Sequence, residues 1–203
     1  MDDIPRPVVD DRDRFLRCES KAAIMAESLP HRTVWGMVVD PHRRVWLVQW
    51  RRPDKDICPN LWDMSCGGHV DCVDGAPESY AEAYQRELAE ELGLSTRFAD
   101  LAALADAASA GGGTPVSAEI GHSIEYHHYP TAWGGRTLER EQVRMFLTLY
   151  AGGVALRTDG EPQALAWLTA QQIREEIIAT GRGTLGLGRM LERCEAALAR
   201  FGT

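Results

Sequence analysis

Residues 79–93 constrain the chain most, because their spacing suits one regular structure. Tyr84, Leu88 and Leu92 recur every four residues and make the apolar stripe of an α-helix, while Glu87, Glu90 and Glu91 fall on an adjoining arc. Ser79-x-x-Glu82 reads as a capping box at the start, and Gly93 supplies a residue tolerant of left-handed geometry at the end. Carboxylates stacked this closely repel by about a few tenths of a kcal/mol per pair, and a bound cation reverses the sign. Hard ions such as Mg²⁺ or Mn²⁺ suit such a face, since they bind carboxylates and share their coordination sphere with substrate phosphates. Arg86 can lean toward Glu82 or Glu90 and orient a side chain that would otherwise swing freely. An isolated Glu-rich helix is most often a solvated face; the added spacing of Glu78, Arg86 and Gly93 tips the reading to a metal site.

Composition narrows the class of protein. With 203 residues and 44% apolar content, one globular domain with terminal additions is expected: an arm and short helix over 1–30, a domain over 31–178 and a packed C-terminal helix over 179–203. A net charge of −8 argues against a nucleic-acid polymer as partner. The N-terminus has no apolar core like that of a leader, and no apolar run reaches about 18 residues, so no membrane association is expected. The five cysteines are odd in number and lack a Cys-x-x-Cys pair, which suggests neither a disulfide framework nor a zinc site and favours a reducing cytoplasm. His122, Glu125, His127 and His128 match no zinc spacing and read as loop surface or substrate specificity.

Periodicity predicts a helix over 20–28, strands over 34–39 and 44–50 joined by a turn, a strand at 101–104, strands over 144–150 and 164–168, and helices over 170–178 and 188–201. Residues 107–135, broken by several glycines and prolines, read as a long irregular segment.

The run Glu78-x7-Arg86-Glu87-Leu88-x-Glu90-Glu91-x-Gly93-Leu94 resembles the Nudix box of the Nudix hydrolases, Gly-x5-Glu-x7-Arg-Glu-apolar-x-Glu-Glu-x-Gly-apolar. Every specified position from Glu78 onward is present. Upstream, nine residues rather than five separate Gly68 from Glu78, so a four-residue loop insertion is expected within 72–77. The resemblance implies an α/β fold, the Nudix α/β/α sandwich with a mixed β-sheet, and a closing strand and helix around Glu161-x5-Trp167-Leu168. It also implies a pyrophosphohydrolase that uses Mg²⁺ or Mn²⁺ on Glu87, Glu90 and Glu91, with Arg86 in the catalytic set. The substrate would be a small-molecule diphosphate, such as a nucleoside diphosphate linked to another moiety, with a homodimer left open.

A narrower resemblance, to Nudix proteins related to isopentenyl-diphosphate isomerase, is carried by His31, Arg51, Lys55, Pro59, Trp62, Ser65, Gly68-His69 and Glu139-x-Glu141. It implies His69, Glu139 and Glu141 as further metal ligands, and Arg51 and Lys55 as phosphate contacts. Glu87, Glu139 or Glu141 would take the proton of the attacking water. Trp133 is a candidate to stack on a flat substrate group, or equally an anchor of its loop. Two departures weigh against isomerisation. The isomerase cysteine falls at Gly67 with Cys66 one place away, which in a strand is the opposite face, and a histidine expected seven residues before His31 falls at Ile24. The intact helix carboxylates favour hydrolysis over an isomerase of allylic diphosphates, and over a non-catalytic binding module.

Overall fold

The computed structural model describes residues 4–109, 113–132, 134–156 and 162–200. In chain order the elements are β1 (Arg6–Val9), β2 (Phe15–Glu19), α1 (Lys21–Glu27), β3 (His31–Asp40), β4 (Val45–Arg51), β5 (Trp62–Asp63), β6 (Cys66–His69), β7 (Cys72–Val73) and β8 (Ala76–Pro77). There follow α2 (Tyr80–Leu92), β9 (Arg97–Phe98), α3 (Leu101–Ser109), β10 (Val116–Pro130), β11 (Arg136–Leu149) and β12 (Pro162–Leu168). The last elements are α4 (Ala170–Gln172), which runs on as a π-helix over Ile173–Ile178, and α5 (Leu185–Ala199).

A mixed sheet in the order β12-β4-β3-β11-β10-β9 forms the spine, with β3 and β11 parallel and β10–β11 and β12–β4 antiparallel. The hairpin pairing of β3 and β4 is confined to Val39–Trp46 and Asp40–Val45; beyond it the strands splay and β6 pairs with β3 from Thr33–His69 to Gly36–Cys66. Splaying leaves main-chain groups without ladder partners, and Ser65 answers them: the Val38 N–H donates to its Oγ at 2.7 Å, and the hydroxyl donates to the Leu47 carbonyl at 2.6 Å. Alternation along the strands builds two cores. Trp35, Met37, Trp46, Val48, Val143, Met145 and Leu147 pack with Ile173, Ile177, Leu187, Met190 and Leu191 on one face. Val34, Val38, Leu47, Cys66 and Phe146 pack with Ala83, Tyr84, Leu88 and Leu92 of α2 on the other. This is the α/β sandwich with a mixed sheet.

Several expectations are corrected. Residues 101–104 open a helix, because Asp100 caps it through the Ala103 N–H at 2.7 Å. Residues 107–135 are mostly regular: β10 pairs with β11 along its length, with a register shift between Glu119 and Gly121, and positive φ at Gly134 and Gly135 serves the turn. Gly121 sits at the bulge and Gly134 and Gly135 at the reversal, while Gly111 and Gly112 lie outside the described residues. The insertion within 72–77 is the β7–β8 hairpin, closed by Asp74 and Gly75, both at positive φ. The helix expected over 188–201 begins at Leu185 under a Thr184 cap and ends at Ala199.

The cysteines also depart from expectation, since Cys18 and Cys72 form a disulfide across 54 residues while Cys58, Cys66 and Cys194 are buried thiols. An odd count excludes complete pairing, not one pair, and β1–β2 carries Cys18 to β7, where the Cys72 N–H donates to the Pro5 carbonyl. Glu161 lies outside the described residues. Among the described residues no helix is long and apolar enough to cross a membrane.

Candidate active site

Helix α2 is fixed at both ends as its sequence demands: Ser79 and Glu82 complete the capping box, and Gly93 adopts the left-handed conformation at φ 66°. Its Arg86 is the hub of the site. The guanidinium donates to Glu78 at 2.7 Å, to Glu87 at 2.7 Å, to Glu90 at 3.3 Å and to the His69 carbonyl at 2.8 Å, with Asp71 at 3.5 Å. Burial works against the charge of Arg86, but the hydrogen bond to Glu78 and the charge of Glu87 outweigh it and push its pKa up. Glu78 also accepts the Asp71 N–H at 2.9 Å, so it ties the strand-side loop to the helix. Asp71 in turn binds Arg6 of β1 at 2.5 Å, which reaches the N-terminal hairpin. Sequence reasoning left Asp71 out and used Glu78 only as part of the motif; the eight-residue spacing of Glu78 from Arg86 was the available signal for their contact.

The three helix carboxylates differ in setting. Glu90 is exposed, whereas Glu87 and Glu91 are buried. Glu87 lies flat against the main chain of Gly68, where a Cβ would stand 2.0 Å from its Oε1. Glu91 accepts a hydrogen bond from the buried Gln49 amide of β4 at 2.9 Å. Cys66 sits among the core residues of this same face, and burial, reinforced by the charges of Glu91 and Glu87, pushes its thiol well up. A thiol held protonated there is a packing group.

On the opposite face of β3 and β6 stands a second polar group. Gly68 faces Glu87, so its strand neighbour His69 turns the other way, where its ring stacks on His31 with centroids 5.1 Å apart. His31, His69 and Glu139 each offer one ligand atom within 4.8 Å of the others. Glu141 pairs in register with His31 across β11–β3. Burial lowers the pKa of His31 to about 4 against the bond to the Leu29 carbonyl, and lowers that of His69 well below the usual histidine value. Burial, reinforced by the charge of Glu139, raises Glu141 to about 8, and burial raises Glu139 against the pull of Lys21. His31 Nδ1 donates to the Leu29 carbonyl at 2.9 Å, so Nε2 carries a lone pair. That lone pair faces Glu139 Oε2 at 3.5 Å, and both His31 Nε2 and Glu139 Oε1 are buried without a hydrogen-bond partner. Neutral imidazoles beside buried carboxylates, with two basic atoms unsatisfied, fit a divalent cation. Of the sequence-derived ligands, His69 and Glu139 gather with His31, whereas Glu141 lies on the same face outside that group of three, and Glu87, Glu90 and Glu91 share the α2 side without gathering as closely.

Arg51 is engaged internally: it donates to the carbonyls of Cys58 and Ile57 and to Asp63 at 3.1 Å, holding the turn that precedes β5. Lys55 is half-buried in the same turn. Trp133 lies outside the described residues. In the β10–β11 hairpin Glu125 binds His127 at 2.6 Å, Ser123 at 2.7 Å and Arg189 of α5, so these residues fasten the hairpin to the C-terminal helix. His122 and His128 remain exposed.

A family model described as NUDIX domain matches residues 29–185. The chain is 40% identical over 88 residues to the uncharacterised Nudix hydrolase SCO1686 of Streptomyces coelicolor, covering 43% of this chain and 46% of that protein. It is 34% identical over 90 residues to the prenyl-diphosphate phosphatase of Methanosarcina mazei, covering 44% and 49%. The matches thus span about half the length of these relatives. The crystal structure of DR0079 from Deinococcus radiodurans shares the fold, with a TM-score of 0.61 over 94% of this chain and 98% of that one at 19% identity.

Proposed function

This chain belongs to the NUDIX domain family, and from that premise we propose that it hydrolyses the diphosphate linkage of a small organic diphosphate at the face of α2. The observation that carries the reading is the Arg86 hub, which holds Glu87 and Glu90 beside the Gly68 main chain while Glu78 and Asp71 hold Arg86. Glu87, Glu90 and Glu91 would hold Mg²⁺ or Mn²⁺, and His69, Glu139 and Glu141, with His31, would hold a further cation. Bound there, a divalent ion supplies charge neutralisation to the diphosphate and makes water a better nucleophile. The chain's own contribution is placement: fixed carboxylates need no reorganisation as charge develops on the departing phosphate. Water attacks phosphorus in line, and its proton would pass to Glu87, the base candidate on the α2 face, because Glu139 and Glu141 stand on the opposite face of the sheet.

A prenyl-diphosphate phosphatase among the relatives supports an organic diphosphate, and nucleoside diphosphates linked to another moiety are the other substrate class. Lys55 would act in binding, with Trp133 against the organic group, while Arg51, expected as a second phosphate contact, is taken up by the turn it holds. The gathering of His31, His69 and Glu139 favours a second reading, isomerisation of an allylic diphosphate, as in the isomerase-related subgroup. Against it stands Cys66, buried in the core on the face away from that group. We place the protein in the cytoplasm, a setting that counting free thiols at Cys18 and Cys72 in protein quenched directly from cells would test.

A panel of nucleotide and isoprenoid diphosphates assayed with Mg²⁺ and Mn²⁺ decides between the readings. Hydrolysis releases phosphate or pyrophosphate, whereas isomerisation leaves the diphosphate intact. Glu91→Gln is expected to lower kcat by about a hundredfold, the size associated with a positioned charge-stabilising or acid–base group. Full activity in both Glu90→Gln and Glu91→Gln would remove α2 from the mechanism.

A further inference from the structure

We propose that Gln49 is a positioning residue for the catalytic cation: its side-chain amide presents Glu91 in the orientation that binds metal. The inference rests on Glu91 being a metal ligand, as read above. Gln49 stands on β4, where Trp46 and Val48 face one core and Leu47 the other, so alternation points Gln49 toward α2. Its Nε2 donates to Glu91 Oε2 at 2.9 Å, and both side chains are buried, at 4% and 2% of their exposed area. A glutamine amide buried among the apolar residues of β4 is costly unless its hydrogen bonds are made, and this bond is made to the most deeply buried carboxylate of the helix.

The choice of an amide has a chemical consequence. Arg86 orients Glu87 and Glu90 but also brings positive charge to them, which competes with a cation. A glutamine fixes the carboxylate plane through one oxygen and adds no charge. A guanidinium thus holds Glu87 and Glu90, and a neutral donor holds Glu91. Hydrogen bonds to ligating carboxylates commonly set metal affinity by about ten- to a hundredfold.

The measurement is Mn²⁺ binding to the intact protein without substrate, read from the free-ion paramagnetic resonance signal at equilibrium. Gln49→Met, similar in length without a donor, is expected to weaken Mn²⁺ binding by about tenfold. Gln49→Asn, which keeps the amide but falls short of Glu91, should match it, and it serves as the replacement if the methionine variant does not fold. In a double-mutant cycle with Glu91→Gln, the Gln49 substitution should have no further effect, because the group it positions is gone. A general packing defect would instead weaken binding again in that background. If Glu91→Gln binds Mn²⁺ as the native protein does, the reading of Glu91 as a ligand fails. If Glu91→Gln weakens binding while Gln49→Met and Gln49→Asn leave it unchanged, only the role of Gln49 is overturned.

Discussion

Gly68 shows how much of this site depends on a single missing methyl group. Its absent Cβ is the space that Glu87 fills, with Oε1 2.0 Å from where the carbon would stand. Gly68→Ala must therefore push the carboxylate aside, and the end of a glutamate can move at little cost. We expect kcat to fall by about tenfold or more with little loss of thermal stability, since displacing a catalytic group by about an ångström is enough for such a loss. A kinetic assay with a melting curve on the same preparation checks both halves. Arg86→Lys should behave differently. A lysine ammonium cannot match the fork that spans Glu78, Glu87, Glu90 and the His69 carbonyl, so both activity and stability should drop, the latter by about 2 kcal/mol in urea denaturation.

Among the elements, the N-terminal hairpin is tied to the shoulder of the site by the Cys18–Cys72 bridge and the Arg6–Asp71 ion pair, beside the Cys72–Pro5 main-chain bond. Closing a loop of 54 residues restricts the unfolded chain, and opening it should cost about 4 kcal/mol. Cys18→Ser is expected to lose that stability in urea denaturation; a reductant should do the same to the native protein and nothing more to the variant. The bridge was hidden from the sequence because parity arguments count cysteines and do not place them. Helix α2, by contrast, could be read residue by residue, since its stripe, cap and terminal glycine are local signals that tertiary packing had no reason to override. The hairpin of β10 and β11 was misread because its glycines and prolines mark a bulge and a turn between long strands, and only the pairing partner reveals which. Gln49, and the place of His31 among the ligands, escaped for another reason: each takes its meaning from residues at least 38 positions away, Glu91 for the first and Glu139 and His69 for the second.

For the molecule as a whole, the histidines and carboxylates gathered on the face away from α2 predict an uneven response to pH. His31, with its pKa lowered to about 4, holds fewer protons folded than unfolded between about pH 4 and 6.5, so its contribution is lost as the solution is acidified through that window; His69 adds to it. Glu141 is the reverse case. Raised to about 8 from an ordinary 4.5, it holds more protons folded than unfolded, so stability falls as pH rises toward 8, and Glu139 pulls the same way. Above their ordinary value of 6.5 the unfolded histidines lose the rest of their charge, an effect smaller than the Glu141 slope of about 1.4 kcal/mol per pH unit, so the carboxylates set the sign from there to pH 8. In the presence of a chelator, the melting temperature should therefore fall from pH 6.5 to pH 8, and Glu141→Gln should flatten that fall while leaving the acid limb in place. Saturating Mn²⁺ should flatten it as well, because a cation on this face favours the ionised carboxylates that burial alone disfavours. A native protein whose melting temperature rises over that interval without metal would show that these carboxylates are ionised in the fold and already matched by positive charge.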